Sequence, residues 1–117
     1  MATWSIESYF DAKDHRSPVE EFLDRLPLVD RARVDHTTDL LREFGLQLNL
    51  PYTKHLEGKL WELRTSVGYK EYRVIYFAFT GRRFVLLHAF SKKTPKTPKG
   101  ELAVARARLA DFLEAEG

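Results

Sequence analysis

The sequence predicts an α+β fold whose elements follow the order β-α-α-β-β-β-α. Two stretches of the first half and one at the end of the chain carry apolar residues at helical spacing, whereas residues 60–90 carry the apolar runs of strands. Short turns containing glycine separate these strands, which favours an antiparallel meander with the helices packed against it. With 117 residues, the chain is expected to form one domain over its whole length, 1–117.

The first strand is predicted within 3–10, where apolar and aromatic residues cluster. The first helix is predicted to begin at Ser17, because its hydroxyl can accept a hydrogen bond from a backbone amide of the first turn. Pro18 suits the first helical position, and Glu20 can reach back to complete a capping box. Pro27 is expected to stop or kink this helix.

A second helix is predicted from about 29 to 44. Leu40, Leu41 and Phe44 fall on one face, and Gly45 is placed to cap its carboxyl end. Residues 46–59, which contain a proline and a glycine, are interpreted as a connection.

Three strands and a final helix follow this connection. Residues 60–64 alternate between apolar and polar side chains, and residues 72–79 and 84–90 are almost continuously apolar, as expected of central strands. The last helix is predicted to begin near Thr97, a possible cap that Pro98 follows. Five apolar residues then recur at helical spacing: Leu102, Ala105, Leu109, Phe112 and Leu113.

Charge is segregated along the chain. Residues 1–53 carry six Lys/Arg and ten Asp/Glu, residues 54–99 carry eleven and three, and residues 100–117 carry two and four. The net charges of −4, +8 and −2 add up to the overall +2. A middle segment this basic favours contact with a polyanion such as nucleic acid, the alternative being a solvated basic face without a ligand.

Several kinds of site are missing from the sequence. There is no cysteine, no phosphate-cradling glycine loop, no Ser-His-Asp signature and no pair of carboxylates suited to glycoside hydrolysis. The four histidines are scattered, so neither a metal site nor a cofactor is predicted. The amino terminus lacks the features of a signal peptide and no apolar stretch approaches the ~20 residues of a membrane span, so we expect a cytoplasmic protein without a membrane partner.

The register of the last hairpin decides whether a basic site can form. If the turn consists of residues 81–82, Arg73 lies opposite Phe90, and Arg73, His88 and Lys92 share one face of the sheet. A turn one residue longer would move Arg73 to the other face. Arg64 joins the same open face if its apolar neighbours in 60–64 pack on the helices.

Such a face is suited to cleaving RNA phosphodiesters. The reaction needs a base for the 2′-hydroxyl, an acid for the leaving 5′-oxygen and cations for the charged transition state. Arg64 and Arg73 are the candidates for transition-state stabilisation. His88 and Lys92 are the candidates for proton transfer, because histidine titrates near neutrality and a cationic neighbourhood lowers the pKa of a lysine.

Structural interpretations compete with each of these roles. His88 could be a core histidine whose ring is hydrogen-bonded, and Arg73 could simply pair with Glu62 or Glu71. The lysines after residue 91 could form a solvated loop. The conjunction of all these residues on one face favours a site more than any one of them does.

Four stretches together resemble one known family: SPVEEFLDRLP, KHLEGKLWELR, YRVIYF and LLHAFSKKTPKTPKGELAVARAR. Their order and spacing closely resemble the phage-derived, HigB-like branch of the RelE/ParE toxin superfamily. The resemblance extends from about Trp4 to Leu109, and LWELR and LLHAFSKKTPKTP are its most specific parts.

The resemblance implies a RelE-like fold and the toxin of a type II toxin–antitoxin system. Such toxins enter the ribosome and cut mRNA there without a metal, and an antitoxin encoded by the adjacent gene, often with a helix-turn-helix domain, neutralises them. Carried over by position, the catalytic residues are Arg64, Arg73, His88 and Lys92. RNA-binding roles are assigned to Lys54, Lys59, Arg82, Arg83, Lys93 and Lys96.

Two alternatives to the nuclease stay open at this point. The superfamily also contains ParE-type toxins, which act on DNA gyrase with the same fold, and a non-catalytic protein could use the basic face only to bind its partner. The division of base and acid between His88 and Lys92 is open as well.

Overall fold

Two apolar layers lie on opposite faces of one five-stranded sheet in the computed structural model, which describes residues 4–92 and 96–116. The elements are β1 (Ser5–Ser8), α1 (Pro18–Asp24), α2 (Leu28–Phe44), β2 (Thr53–Glu57), β3 (Leu60–Val67), β4 (Lys70–Phe79), β5 (Arg83–Lys92) and α3 (Lys99–Glu116). The strand order is β1-β5-β4-β3-β2, in which β2 to β5 form an antiparallel meander. The predicted α+β class is confirmed.

The first strand departs from a purely antiparallel arrangement. β1 pairs with β5 in parallel, so the sheet is mixed. Because α1 and α2 carry the chain from β1 to the opposite edge, the meander returns beside β1 only with its last strand. Nothing in residues 3–10 themselves determines this distant partner.

Strand β2 lies within 46–59, which the sequence predicted to be a connection, and that prediction was wrong for Thr53–Glu57. The strand is short and mostly polar, as edge strands often are, so it lacks a clear apolar period. Its hydrogen-bonded pairing with β3 places Lys54 opposite Glu62 and His55 opposite Trp61. The pairing partner, rather than the local sequence, makes this segment a strand.

The sheet is covered on both faces, not on one. The layer beneath α1 and α2 contains buried Val19, Leu23, Val34, Leu41, Leu63, Val74 and Leu86. The opposite layer packs beneath α3 and contains Tyr9, Leu60, Ile75, Phe77, Val85, Leu87 and Ala105. The face that we expected to be open is therefore covered along part of its length. Among the described helices, none is long and apolar enough to cross a membrane.

The predicted capping box of α1 is not formed. Ser17 occupies the N-cap position with extended backbone, but its hydroxyl is buried and has no hydrogen-bond partner among the described residues. Glu20 accepts instead from the Ser8 hydroxyl at 2.6 Å. The first helix is thus tied to β1 by a tertiary hydrogen bond, which draws the carboxylate away from the helix end.

Two local irregularities cancel in the last hairpin. Phe79 pairs with Arg83, so the turn contains three residues, one more than predicted. A bulge then leaves Leu87 unpaired, because Ile75 faces His88 whereas the next residue of β4 faces Leu86. Beyond the bulge the predicted register is restored, and Arg73 lies opposite Phe90.

Gly45 provides a test of how α2 ends. Its φ is +59°, and a Cβ at this position would collide with the indole of Trp4. We expect Gly45→Ala to lower the free energy of unfolding by about 1–3 kcal/mol, because strain and overlap add. Gly58→Ala is the control: its φ is +49°, but a Cβ there meets nothing within 4 Å. Urea denaturation showing equal losses for both variants would contradict the packing of Trp4 on Gly45.

Candidate active site

A buried carboxylate forms the centre of the basic cluster on the α3 face of the sheet. Glu62, in β3, has a side chain with 0 % exposure. Its Oε1 atom lies 3.3 Å from Nε of Arg64, 3.2 Å from Nε of Arg73 and 3.9 Å from Nζ of Lys92. Three cations from three strands therefore converge on a single carboxylate oxygen.

Strand pairing explains why the two arginines meet. Arg64 of β3 lies directly opposite Arg73 of β4, and the alternation of side chains puts Glu62 on the same face. Like charges opposite each other are unfavourable, so the carboxylate between them compensates for the repulsion. The predicted placement of Arg64 and Arg73 on one face is confirmed.

Arg73 is the more deeply buried of the two arginines, with 7 % of its side chain exposed. One terminal nitrogen donates to the carboxylate of Glu71 and the other to the carbonyl oxygen of Tyr72. Its Nε lies close to Glu62 but is not aligned for a hydrogen bond, and it has no hydrogen-bond partner among the described residues. Arg73 thus pairs with both carboxylates that the sequence suggested, and one of its donors is still unused.

Lys92, the last residue of β5, is the least exposed of the three cations, with 4 % of its side chain exposed. Burial has the largest effect and lowers the pKa of Lys92 below the value of an ordinary lysine. The charge of Glu62 acts against this, whereas Arg73 and Arg64 add to the lowering. The expected direction of the shift is confirmed, although burial contributes more than the cationic neighbours.

The chain that precedes α3 is tied to the same carboxylate. Thr97 was predicted to cap the last helix, but its hydroxyl donates to Oε2 of Glu62 at 2.7 Å. Glu62 thus uses one oxygen for the cations and the other for the segment that leads into α3. The carboxylate joins β3 to the start of the helix that covers this face.

His88 lies on the same face but is held by α3. Its Nε2 lies 3.0 Å from Oε1 of Glu101, and its Nδ1 lies 3.1 Å from a terminal nitrogen of Arg108, which also donates to the carbonyl oxygen of Leu87. Since a guanidinium can only donate, Nδ1 accepts and the ring proton lies on Nε2, directed at Glu101. The ring is thus held away from the three cations by partners on the helix.

The other predicted residues lie at varying distances from the cluster. Lys54 is exposed on β2, opposite Glu62, and its charge also lowers the pKa of Lys92. Lys59 is exposed in the β2–β3 turn, and Lys96 is exposed just before α3. Lys93, also assigned to RNA binding, lies outside the described residues.

Arg82 and Arg83 lie at the far end of β5. Arg83 and Lys92 are the first and last residues of that strand, about 30 Å apart at the rise of an extended chain. Arg83 is paired with Glu7 and Glu116, and Arg82 is exposed in the turn. The structure does not bring these two arginines to the cluster.

The two arginines of the cluster also reach solvent. Arg64, with 23 % of its side chain exposed, and Arg73 line a groove of about 520 Å³ beside the part of β3 that extends beyond its pairing with β2. A phosphate entering this groove would meet guanidinium groups that the protein already holds in place. The arrangement can therefore bind a phosphodiester and has a lysine of lowered pKa behind it. Within residues 4–92 and 96–116, no cluster of three or more histidine, aspartate or glutamate side chains could hold a metal ion.

Glu62 was not among the site residues that the sequence predicted. The alternation in LWELR placed Glu62 and Arg64 on one face, so the local signal was present. The missing information was that Lys92 and Thr97 would reach the same carboxylate, which depends on the position of α3. The groove is also lined by Arg33, His36 and Thr37 of α2, and these residues gave no signal in the sequence.

The mixed sheet with helices on both faces is consistent with the RelE-like fold that the sequence suggested. A family model described as "Phage derived protein Gp49-like (DUF891)" matches residues 21–110. The chain therefore belongs to this Gp49-like family, which is a RelE-like toxin family, and membership is consistent with the toxin of a toxin–antitoxin system. The match does not single out the HigB-like branch, and no curated protein matches the chain.

Replacing Glu62 tests whether the cluster depends on its charge. Glu62→Gln keeps an acceptor for Thr97 but leaves three cations without their shared counter-charge. We expect the free energy of unfolding to fall by about 3 kcal/mol, the usual loss when one partner of a buried ion pair is removed. The measurement is the urea midpoint at unchanged slope.

Glu57→Gln is the matched control, because it removes a carboxylate from an exposed pair with Arg106. A loss below about 1 kcal/mol is expected there. If both variants lost the same stability, Glu62 would not be the counter-ion on which the cluster depends.

Proposed function

We propose that this chain is the toxin of a type II toxin–antitoxin system and that it cuts mRNA on the ribosome. The observation that carries the proposal is the convergence of Arg64, Arg73 and Lys92 on Glu62, with both arginines reaching an open groove. One toxin domain over residues 1–117 is part of the proposal, and its support is that β1, α1 and α3 all pack on the same sheet.

The arginines would bind the scissile phosphate and stabilise its transition state. Attack of the 2′-oxygen on phosphorus places extra negative charge on the two non-bridging oxygens, and guanidinium groups match that pair with two parallel donors. Glu62 and Glu71 hold Arg64 and Arg73 in position before the substrate arrives, so little reorganisation is needed. The positive charge that the reaction requires is supplied by these side chains.

Lys92 is the proposed proton carrier. Its lowered pKa raises the fraction of neutral amine, which can take the proton of the 2′-hydroxyl as the 2′-oxygen attacks. The bond from phosphorus to the 5′-oxygen breaks, and the 5′-oxygen takes up a proton from water. The products are a 2′,3′-cyclic phosphate and a free 5′-hydroxyl end.

The proton-transfer role of His88 stays a prediction. Its contacts with Glu101 and Arg108 support a positioning role instead, in which the ring fixes the first turn of α3 over the sheet. Thr97 and Glu62 fix the segment just before that turn. In this form of the proposal His88 acts on the site through the helix.

An antitoxin and the ribosome are the proposed partners. Neutralising the cationic groove would block RNA, so the antitoxin segment that covers it should be acidic. The site of action would be the cytoplasm, where mRNA is translated. A short acidic or helix-turn-helix protein encoded by the adjacent gene would support this part of the proposal.

The direct experiment maps the 5′ ends of mRNA in a translating extract by primer extension, with and without the purified protein. We expect new ends only while translation proceeds. Arg73→Ala and Lys92→Met should each reduce their yield at least about 100-fold, the scale of a lost charge stabiliser or proton carrier. Lys13→Ala, an exposed charge in the first half of the chain, should cut like the wild type.

The same extract distinguishes the alternatives. Intact mRNA together with protein-linked DNA breaks would overturn the proposal in favour of a gyrase poison. Intact mRNA and DNA with unaffected growth on expression would favour a non-catalytic partner-binding protein. If Arg73→Ala and Lys92→Met both cut mRNA like the wild type, the roles proposed for Arg73 and Lys92 would be wrong.

A further inference from the structure

The far wall of the groove consists of side chains from α2 and from the segment before β2. The groove of about 520 Å³ that Arg64 and Arg73 line on one side is also lined by Arg33, His36 and Tyr52. The groove is thus longer than a site for one phosphate requires.

Arg33 and His36 lie one helical turn apart, so both project from the same side of α2. Both are exposed, and within the described part of the chain neither forms an ion pair. This differs from Arg31 on the same helix, which pairs with Asp24 and Asp35. Arg33 is therefore a guanidinium that lines the groove without a carboxylate partner of its own, and it is available to bind an anion.

Tyr52 adds an aromatic surface to this wall. It is 40 % exposed, and its backbone carbonyl accepts a 2.7 Å hydrogen bond from the amide of Arg64. The ring is therefore anchored beside the cluster through its own main chain. Aromatic side chains next to cations are the pattern by which proteins bind single-stranded nucleic acids, since a base stacks on the ring while its phosphate meets the charge.

From these contacts we infer that Arg33, His36 and Tyr52 form a second nucleotide subsite. It takes the phosphate and base of the nucleotide next to the cleaved bond, and it rests on the proposed function for the identity of the strand. Arg73, whose buried Nε has no hydrogen-bond partner among the described residues, lines the same groove. RNA fits this wall better than an acidic peptide, because a peptide would leave the tyrosine without a stacking partner.

The experiment measures fluorescence anisotropy of a short, labelled 2′-O-methyl RNA, which cannot be cut because it has no free 2′-hydroxyl. We expect Arg33→Ala to weaken binding about five- to tenfold, as for loss of one charge-assisted contact. The slope of log affinity against log salt should fall by about 0.7, the value for one phosphate contact on a single strand. His36→Ala should weaken binding about two- to threefold. The side chains of Arg33 and His36 are exposed, so neither substitution should change the midpoint of thermal unfolding.

Matched controls separate contact from general charge. Arg25→Ala removes the same charge from an exposed position at the end of α1, and it should change affinity less than about twofold and leave the salt slope unaltered. Tyr52→Ala should weaken binding about tenfold, whereas Tyr52→Phe keeps the ring and should bind like the wild type. Equal effects of Arg33→Ala and Arg25→Ala would overturn the inference, as would the absence of RNA binding by the wild type.

The outcomes distinguish this inference from the proposed function. RNA binding that depends on Arg33, together with uncut mRNA in the extract, would support the subsite and reject the nuclease. Cut mRNA, together with RNA binding that does not depend on Arg33 or Tyr52, would support the nuclease and reject the subsite. A poly-glutamate peptide that binds with the same Arg33 dependence while the RNA does not would replace RNA by an acidic protein partner and overturn the inference.

Discussion

The attraction between the Glu62 carboxylate and three cations is the constraint on which the rest of the site depends. Without it, two arginines would face each other across adjacent strands beside a buried lysine, an arrangement that repulsion and desolvation both oppose. One carboxylate lets the sheet concentrate positive charge beneath a groove. The cluster is therefore a stability feature and a candidate catalytic feature at the same time.

The two faces of the sheet differ in composition: one is an apolar core, and the other combines an apolar part with the charged cluster. The face beneath α1 and α2 is filled by apolar side chains and supplies a continuous core. The other face is apolar beneath α3 but carries charged side chains at Glu62 and Arg64 of β3, Arg73 of β4 and Lys92 of β5. Because α3 covers only part of this face, the apolar core gives way to the charged cluster near the hydrogen bond from Thr97 to Glu62. The same helix thus closes the core and borders the site.

The apolar strand β5 ends in a positively charged residue, Lys92, and this arrangement explains why the charge is tolerated there. Lys92 continues a strand of buried side chains and is itself buried, but it meets a carboxylate from β3. The burial lowers the pKa of its amine, and the nearby arginines assist. Similar burial without a carboxylate would leave an ammonium group unpaired, which folded proteins avoid.

Local patterns predicted most of the fold. Alternation in β3, the apolar run of β4 and the glycine after α2 each act over a few residues, and these predictions were confirmed. Two of the failures involve distant partners: β2 is a strand because of β3, and Glu20 binds Ser8 instead of the end of its own helix. The predicted turn between β4 and β5 was one residue shorter than the observed one. The predicted pairing of Arg73 with Phe90 is nevertheless correct, because a bulge at Leu87 compensates for the extra turn residue.

The same distinction applies to the site. Alternation placed Arg64 and Arg73 on one face, and it placed Lys92 with them because the bulge in β5 offset the longer turn. It was not sufficient to separate His88 from them, because the partners of the ring, Glu101 and Arg108, come from α3. The α2 wall of the groove depends on how a helix packs on a sheet edge, which no periodicity in its own sequence describes.

The most direct test of the account is an NMR titration of the Lys92 amine in the wild type and in Glu62→Gln. The wild-type pKa should lie below the ordinary lysine value of 10.5, because burial disfavours the ammonium form. Since Glu62 favours that form, its removal should lower the pKa of Lys92 further. A Lys92 pKa at or above 10.5 in the wild type, or one that is unchanged in the variant, would contradict the coupling between carboxylate and amine on which the site is built.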